Sequence, residues 1–136
     1  MKILLIDDSK LQRWAVQRIL TGAGYSVTAA ADGEEGLRMA QQGPHDLILL
    51  DMMLPKVDGP AVLASLKQDA KTAATPVIVM TGLSQKNESK LMEAGAAAFY
   101  QKSELGVETG AKSLLDLVHR VLREFSGAKK AVAAAH

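Results

Sequence analysis

The sequence predicts an α/β fold, a doubly wound parallel sheet of five strands alternating with five helices. Three observations carry this. Ile3-Leu4-Leu5-Ile6, Leu47-Ile48-Leu49-Leu50 and Val77-Ile78-Val79-Met80 are unbroken apolar runs bounded by turn residues, the pattern of strands buried on both faces. Segments with helical spacing alternate with these runs, which implies right-handed crossovers and helices on both sides of the sheet. The runs also end in reactive residues: Asp7-Asp8 after the first, Asp51 after the third, Thr81 after the fourth and Lys102 after the fifth. In open parallel sheets the carboxyl ends of the strands are where ligands and chemistry sit.

Taken in order, Lys2 to Ile6 forms the first strand, and Ser9 is a candidate cap for a helix bearing Leu11, Ala15, Val16, Ile19 and Leu20 on one face. Gly22 and Gly24 stop that helix. Ser26 to Ala30 is a short, weaker strand. Asp32-Gly33 turns the chain into a second helix through Leu37, Met39 and Ala40, closed by Gly43-Pro44. The third strand runs into Asp51 and the Met52-Met53-Leu54-Pro55 loop. Asp58 caps a third helix whose first turn accommodates Pro60, with Val62, Leu63 and Leu66 inward. Thr75-Pro76 leads into the fourth strand. Residues 85–94 read as a helix with Leu91 and Met92 as its large apolar residues, closed by Gly95. Ala96 to Tyr100 is the fifth strand. Leu114, Leu115, Val118, Val121, Leu122 and Phe125 mark the last helix, and 126–136 is an Ala-rich tail or the start of a linker.

Composition narrows the function. A chain of 136 residues with 48% hydrophobic content is one domain, here 1–125, with a proper core. Sixteen basic and fifteen acidic residues leave a net charge of +1, with no general pull toward nucleic acid or anionic membrane. The absence of cysteine excludes disulfides and thiol chemistry, and the three histidines have no ligand spacing. The apolar start is too short for a signal peptide or a membrane span, so a cytoplasmic location is expected.

Parallel strands bring Asp7, Asp8, Asp51, Thr81 and Lys102 to one edge. Carboxylates that close repel by about 3–4 kcal/mol per pair at an effective dielectric of about 20. A divalent cation with hard oxygen ligands offsets this, and Mg²⁺ suits a few carboxylates plus waters. A carboxylate, a metal, a lysine and a hydroxyl are the parts needed for phosphoryl transfer onto an aspartate.

Ile6-Asp7-Asp8-Ser9, Leu49-Leu50-Asp51-Met52-Met53-Leu54-Pro55 with Asp58-Gly59, Met80-Thr81-Gly82, and Gly95-Ala96 through Phe99 to Lys102 together resemble the receiver domain of two-component response regulators, over about residues 2–125. The resemblance implies a flavodoxin-like fold with strand order 2-1-3-4-5. It implies Asp51 as phosphoacceptor, and Mg²⁺ bound by Asp8, Asp51 and the backbone carbonyl of Met53, with Asp7 acting mainly through a metal-bound water. Lys102 would contact the phosphoryl group, Thr81 would donate its hydroxyl to it, and Phe99 would be the switch aromatic, with Tyr100 pointing to the other side of the strand. The implied partners are a histidine kinase or phosphotransfer protein upstream, and a downstream protein reading the face formed by the fourth helix, fifth strand and fifth helix. No direct nucleic-acid or membrane contact is implied. The domain would be a phosphorylation-dependent switch rather than a turnover enzyme, assisting only its own phosphorylation and dephosphorylation.

Ser103 stands where the family usually has proline, so a cis bond there is not expected, and the segment to the last helix is a few residues longer than usual. Met53 and Leu83 flank the site without a side chain that could position water, which predicts slow loss of the phosphoryl group. Trp14 reads either as an edge-of-core residue or as a contact for the phosphodonor. Met52, Met53 and Met80 read as packing residues. The short tail favours a single-domain regulator over a receiver fragment of a larger regulator or hybrid kinase. An aspartate-dependent phosphatase would need a second Asp at position 53, which is Met. A non-phosphorylated scaffold and a flavin binder are the remaining alternatives.

Overall fold

Five strands, β1 (Lys2–Ile6), β2 (Ser26–Ala30), β3 (Leu47–Asp51), β4 (Val77–Thr81) and β5 (Ala98–Gln101), form one parallel sheet in the order β2-β1-β3-β4-β5. The computed structural model describes residues 1–54, 58–82, 88–106 and 109–134, with the backbone alone at 88, 89, 106 and 126–134. Among the described residues, five α-helices cover the sheet: α1 (Lys10–Gly22), α2 (Gly33–Gln42), α3 (Gly59–Gln68), α4 (Glu88–Glu93) and α5 (Gly110–Ala134).

Successive strand side chains point to opposite faces, so each apolar run serves two cores. Ile3, Leu5, Leu49, Ile78 and Met80 meet Val16 and Leu20 of α1 and Leu114, Val118 and Val121 of α5. Leu4, Ile6, Ile48, Leu50 and Val79 meet Ala40 of α2, Val62, Leu63 and Leu66 of α3, and Leu91 of α4. Central strands buried on both faces explain why these runs show no polar alternation.

The caps work as their residue types require. Ser9 Oγ accepts from the Gln12 amide, Asp32 from Glu35 and Asp58 from Ala61, each satisfying one of the orphan donors at a helix start. Gly24 after α1 and Gly95 after α4 have φ of +97° and +107°, a region that favours glycine. Gly36 is required for another reason: a Cβ there would lie 2.6 Å from Ile6 Cδ1.

Several details differ from the sequence reading. The fifth strand starts at Ala98 rather than Ala96, because the chain leaving Gly95 first completes a turn in which the Ala96 amide bonds to Leu91 O. Leu11 is 76% exposed although a helical wheel places it on the apolar stripe. Met53 is 62% exposed, unlike the buried Met52 and Met80. The segment after β5 folds as a 3-10 helix, Lys102–Gly106. No cis peptide bond occurs among the described residues, in line with Ser103. The backbone of 126–134 continues α5 as helix, into the stretch read as a tail. Pro55, Leu83, 85–87, 107–108 and the last two residues, on which some sequence expectations fell, lie outside the described residues. No described helix is long and apolar enough to cross a membrane.

Candidate functional site

The parallel register delivers the strand-end residues to one edge. Asp7 follows β1, Asp51 ends β3, Thr81 ends β4 and Lys102 follows β5. One carboxylate oxygen each from Asp7, Asp8 and Asp51 lie within 4.8 Å of one another. Asp7 and Asp51 are fully buried and Asp8 is exposed. Lys102 Nζ lies 2.6 Å from Asp51 Oδ1. Thr81 is buried at the end of the neighbouring strand, in the row where its partner is Gln101.

Backbone donors hold the two buried acids. The Ser9 amide donates to Asp7 Oδ1 at 2.9 Å, and the Met53 amide donates to Asp51 Oδ1 at the same distance. Arg13 Nη1 reaches back from α1 to Asp7 O at 2.9 Å. Beneath the acceptor loop, α3 begins at Gly59, pressed onto the backbone of the preceding turn. A Cβ at Gly59 would fall 2.7 Å from Met52 O and 2.8 Å from Asp51 O. The Asp58-Gly59 pair is therefore a packing requirement of the acceptor loop as well as a turn.

The second oxygens, Asp7 Oδ2 and Asp51 Oδ2, are buried with no hydrogen-bond partner. Burying a charged oxygen unpaired is costly. The strain registers at Asp7: burial pushes its carboxyl up from 3.8 to about 6, the Ser9 amide works against this, and the Asp51 charge adds to it. Two orphaned hard oxygens, with a third acid exposed beside them, fit a small divalent cation. Asp7, Asp8 and Asp51 could hold it, and Lys102 supplies the remaining positive charge.

Away from this edge, β5 splits its aromatic pair. Phe99 packs on the α2/α3 side and Tyr100 on the α1/α5 side. A cleft beside β5 is lined by Phe99, Gln101, Glu104, Asp116, Leu117 and Arg120. On α1, Trp14 is 55% exposed beside Leu11. Arg18 lies over the Trp14 ring at 4.8 Å from its centroid, and Lys10, Arg13 and Gln17 complete that groove. The sequence reading did not single out Arg13, the Ser9 amide or the packing role of Gly59. For Gly59 the signal was present, since a glycine directly after a cap follows the acceptor loop. For the Arg13 contact, six residues from Asp7, no periodicity announces it.

Comparisons with known proteins identify the family. The response regulator receiver domain model matches residues 3–108. The gliding motility regulatory protein of Myxococcus xanthus is 37% identical over 115 residues, covering 84% of this chain and 15% of that protein. Protein PilH of Pseudomonas aeruginosa is 29% identical over 113 residues, covering 83% of this chain and 93% of that protein. The chain spans only 15–37% of the length of the first curated relatives it matches. The crystal structure of a CheY-like response regulator receiver domain protein from Methanospirillum hungatei JF-1 superposes with a TM-score of 0.82 at 27% identity, covering 93% of this chain and 97% of that one. With the strand order, the acid-lined edge and a family match over residues 3–108 in agreement, the chain belongs to the response regulator receiver domain family.

Proposed function

We propose that this domain accepts a phosphoryl group on Asp51 from a phosphohistidine of a histidine kinase or phosphotransfer protein, with Mg²⁺ required, and signals through the surface around α4, β5 and α5. The observation that carries the reading is the pairing of Lys102 Nζ with Asp51 Oδ1 at 2.6 Å, beside two buried carboxylate oxygens that have no protein partner. Receiver domains are phosphoacceptor switches of this kind.

An oxygen of Asp51 attacks phosphorus in line. The P–N bond to the donor imidazole breaks, its electron pair stays on the ring nitrogen, and an acyl phosphate forms. Asp7, Asp8 and Asp51, with the Met53 carbonyl, would hold Mg²⁺, which supplies charge neutralisation for the phosphoryl oxygens. Lys102 balances charge from the β5 side. The Ser9 and Met53 amides keep the acids oriented without reorganising during transfer. Thr81 hydroxyl contact with the new phosphoryl group, and a packing change of Phe99, shift the population toward a second surface.

The test is labelling by acetyl phosphate. Wild-type protein takes up label only with Mg²⁺, and Asp51→Asn takes up none. Labelling of Asp51→Asn at the wild-type rate would sink the reading, and steady phosphate turnover far above one equivalent would favour a phosphatase.

A further inference from the structure

Lys102 must be aimed, and the described part of its own segment restrains it only weakly. It begins a 3-10 helix, Lys102–Gly106, a form whose hydrogen bonds are poorer than those of an α-helix. Ser103 follows it, where a proline would have restricted the backbone. The lysine side chain is 24% exposed, yet its Nζ meets Asp51 Oδ1 at 2.6 Å. The restraint has to come from outside the segment.

Tyr100 supplies it. Its ring is buried in the α1/α5 core at 3% exposure. Its hydroxyl donates to Gly110 O at 2.9 Å and lies 3.0 Å from Ser113 Oγ, which itself donates to Gly110 O at 2.9 Å. Burial pushes the phenol above its ordinary range, so it stays a donor. Gly110 opens α5 and is seated directly on the 3-10 helix: a Cβ there would collide with Glu104 O and come within 3.0 Å of Leu105 Cα. The segment bearing Lys102 is thus clamped between β5 and the first turn of α5, and the Tyr100 hydroxyl joins the two jaws.

We propose that Tyr100 is the positioning residue of the lysine loop: its hydroxyl, donated to Gly110 O with Ser113 Oγ beside it, holds the short helix that aims Lys102 at Asp51. The proposal rests on the phosphoacceptor reading of the site. Phe99, on the opposite face, is free of this duty, so adjacent aromatics divide two tasks between them.

Tyr100→Phe keeps the ring and removes the hydroxyl. Labelling by saturating acetyl phosphate should slow about fivefold, the worth of one buried hydrogen bond. Mg²⁺ affinity measured by calorimetry should not fall, because the acids stand on β1 and β3 and loosening Lys102 only frees Asp51. In a Lys102→Ala background, Tyr100→Phe should have no further effect. A second readout is independent of phosphorylation: the rate at which acetic anhydride modifies Lys102, followed by mass spectrometry, should rise several-fold in Tyr100→Phe. Unchanged labelling and unchanged Lys102 reactivity would overturn the proposal, as would equal slowing in both lysine backgrounds. If wild-type protein takes no label, the phosphoacceptor reading falls while the acetylation rates still decide the clamp. Should Tyr100→Phe not fold, Ser113→Ala replaces it: increased Lys102 reactivity with Mg²⁺ affinity intact supports the clamp, and unaltered reactivity overturns it.

Discussion

The two halves of the carboxyl edge are built differently. The β1/β3 half is locked. Asp7 and Asp51 are buried, each held by an amide two residues ahead, and Gly59 presses α3 onto the turn after Asp51. On the β4/β5 half, α4 is attached lightly. α4 has six residues, and among its described side chains only Leu91 is buried, while Lys90, Met92 and Glu93 are exposed. An acceptor has to hold its geometry through the reaction, whereas a signalling surface needs two arrangements close in free energy. The number of anchors on each side matches that division.

Breaking the locked half should have the largest effect. Gly59→Ala forces a methyl into the Met52 backbone, where no flexible side chain can yield. It should cost about 3 kcal/mol in urea unfolding and depress acetyl phosphate labelling. A loss below about 0.5 kcal/mol would show that the lock is looser than its geometry.

The same half should respond to acid in a distinctive way. Asp7 in the folded chain titrates near 6, against 3.8 ordinarily. Between those values the folded state holds a proton that the unfolded state has released. In chelator-treated protein this contribution is therefore fully present below 3.8 and is lost as pH rises through about 6, worth roughly 2–3 kcal/mol. Asp7→Asn should flatten that stretch of the stability profile. Mg²⁺ should bind more weakly as pH falls below 6, since proton and metal compete for one carboxylate. A Mg²⁺ affinity independent of pH between 5 and 7 would contradict this.

The light half offers a sharper contrast. Leu91→Ala removes the buried anchor of α4 and should cost about 2 kcal/mol, read as faster amide exchange in α4 and β5 while β1 and β3 amides keep their protection. Met92→Ala, one residue away and exposed, should change stability by less than about 0.5 kcal/mol. Equal responses would erase the distinction between the halves. A smaller effect than at Leu91 is expected at α1, outside both. Trp14→Ala should slow transfer from a protein phosphodonor about fivefold and leave the acetyl phosphate rate unchanged. Equal loss with both donors would remove Trp14 from the docking surface.

Much of this was legible from residue order alone. The first four strands are recognisable to within a residue, because a strand buried on both faces needs an unbroken apolar run and the turn residues bracket it. The edge residues followed, since parallel strands must bring their ends together. The misreadings have physical causes. Leu11 satisfies a helical period, but a period alone does not bury a residue. Ala96 and Ala97 fit strand or turn equally, and the left-handed Gly95 decided for the turn. Met53 sits among apolar residues but on a loop that leaves the core. The Tyr100–Gly110–Ser113 cluster depends on where α5 begins relative to β5, a tertiary relation that no spacing encodes.

One consequence follows from how β5 places its aromatics. Phe99 and Tyr100 are neighbours that feed opposite cores, and side chains along a strand alternate with a period of two. Sliding β5 by one residue against β4 would exchange them, stranding the Tyr100 hydroxyl among the apolar residues of the α2/α3 core and leaving Gly110 without it. Register change is therefore closed to this strand as a means of carrying information. Whatever passes from the acid edge to the outer surface through β5 has to pass as rotation of a side chain about a stationary backbone.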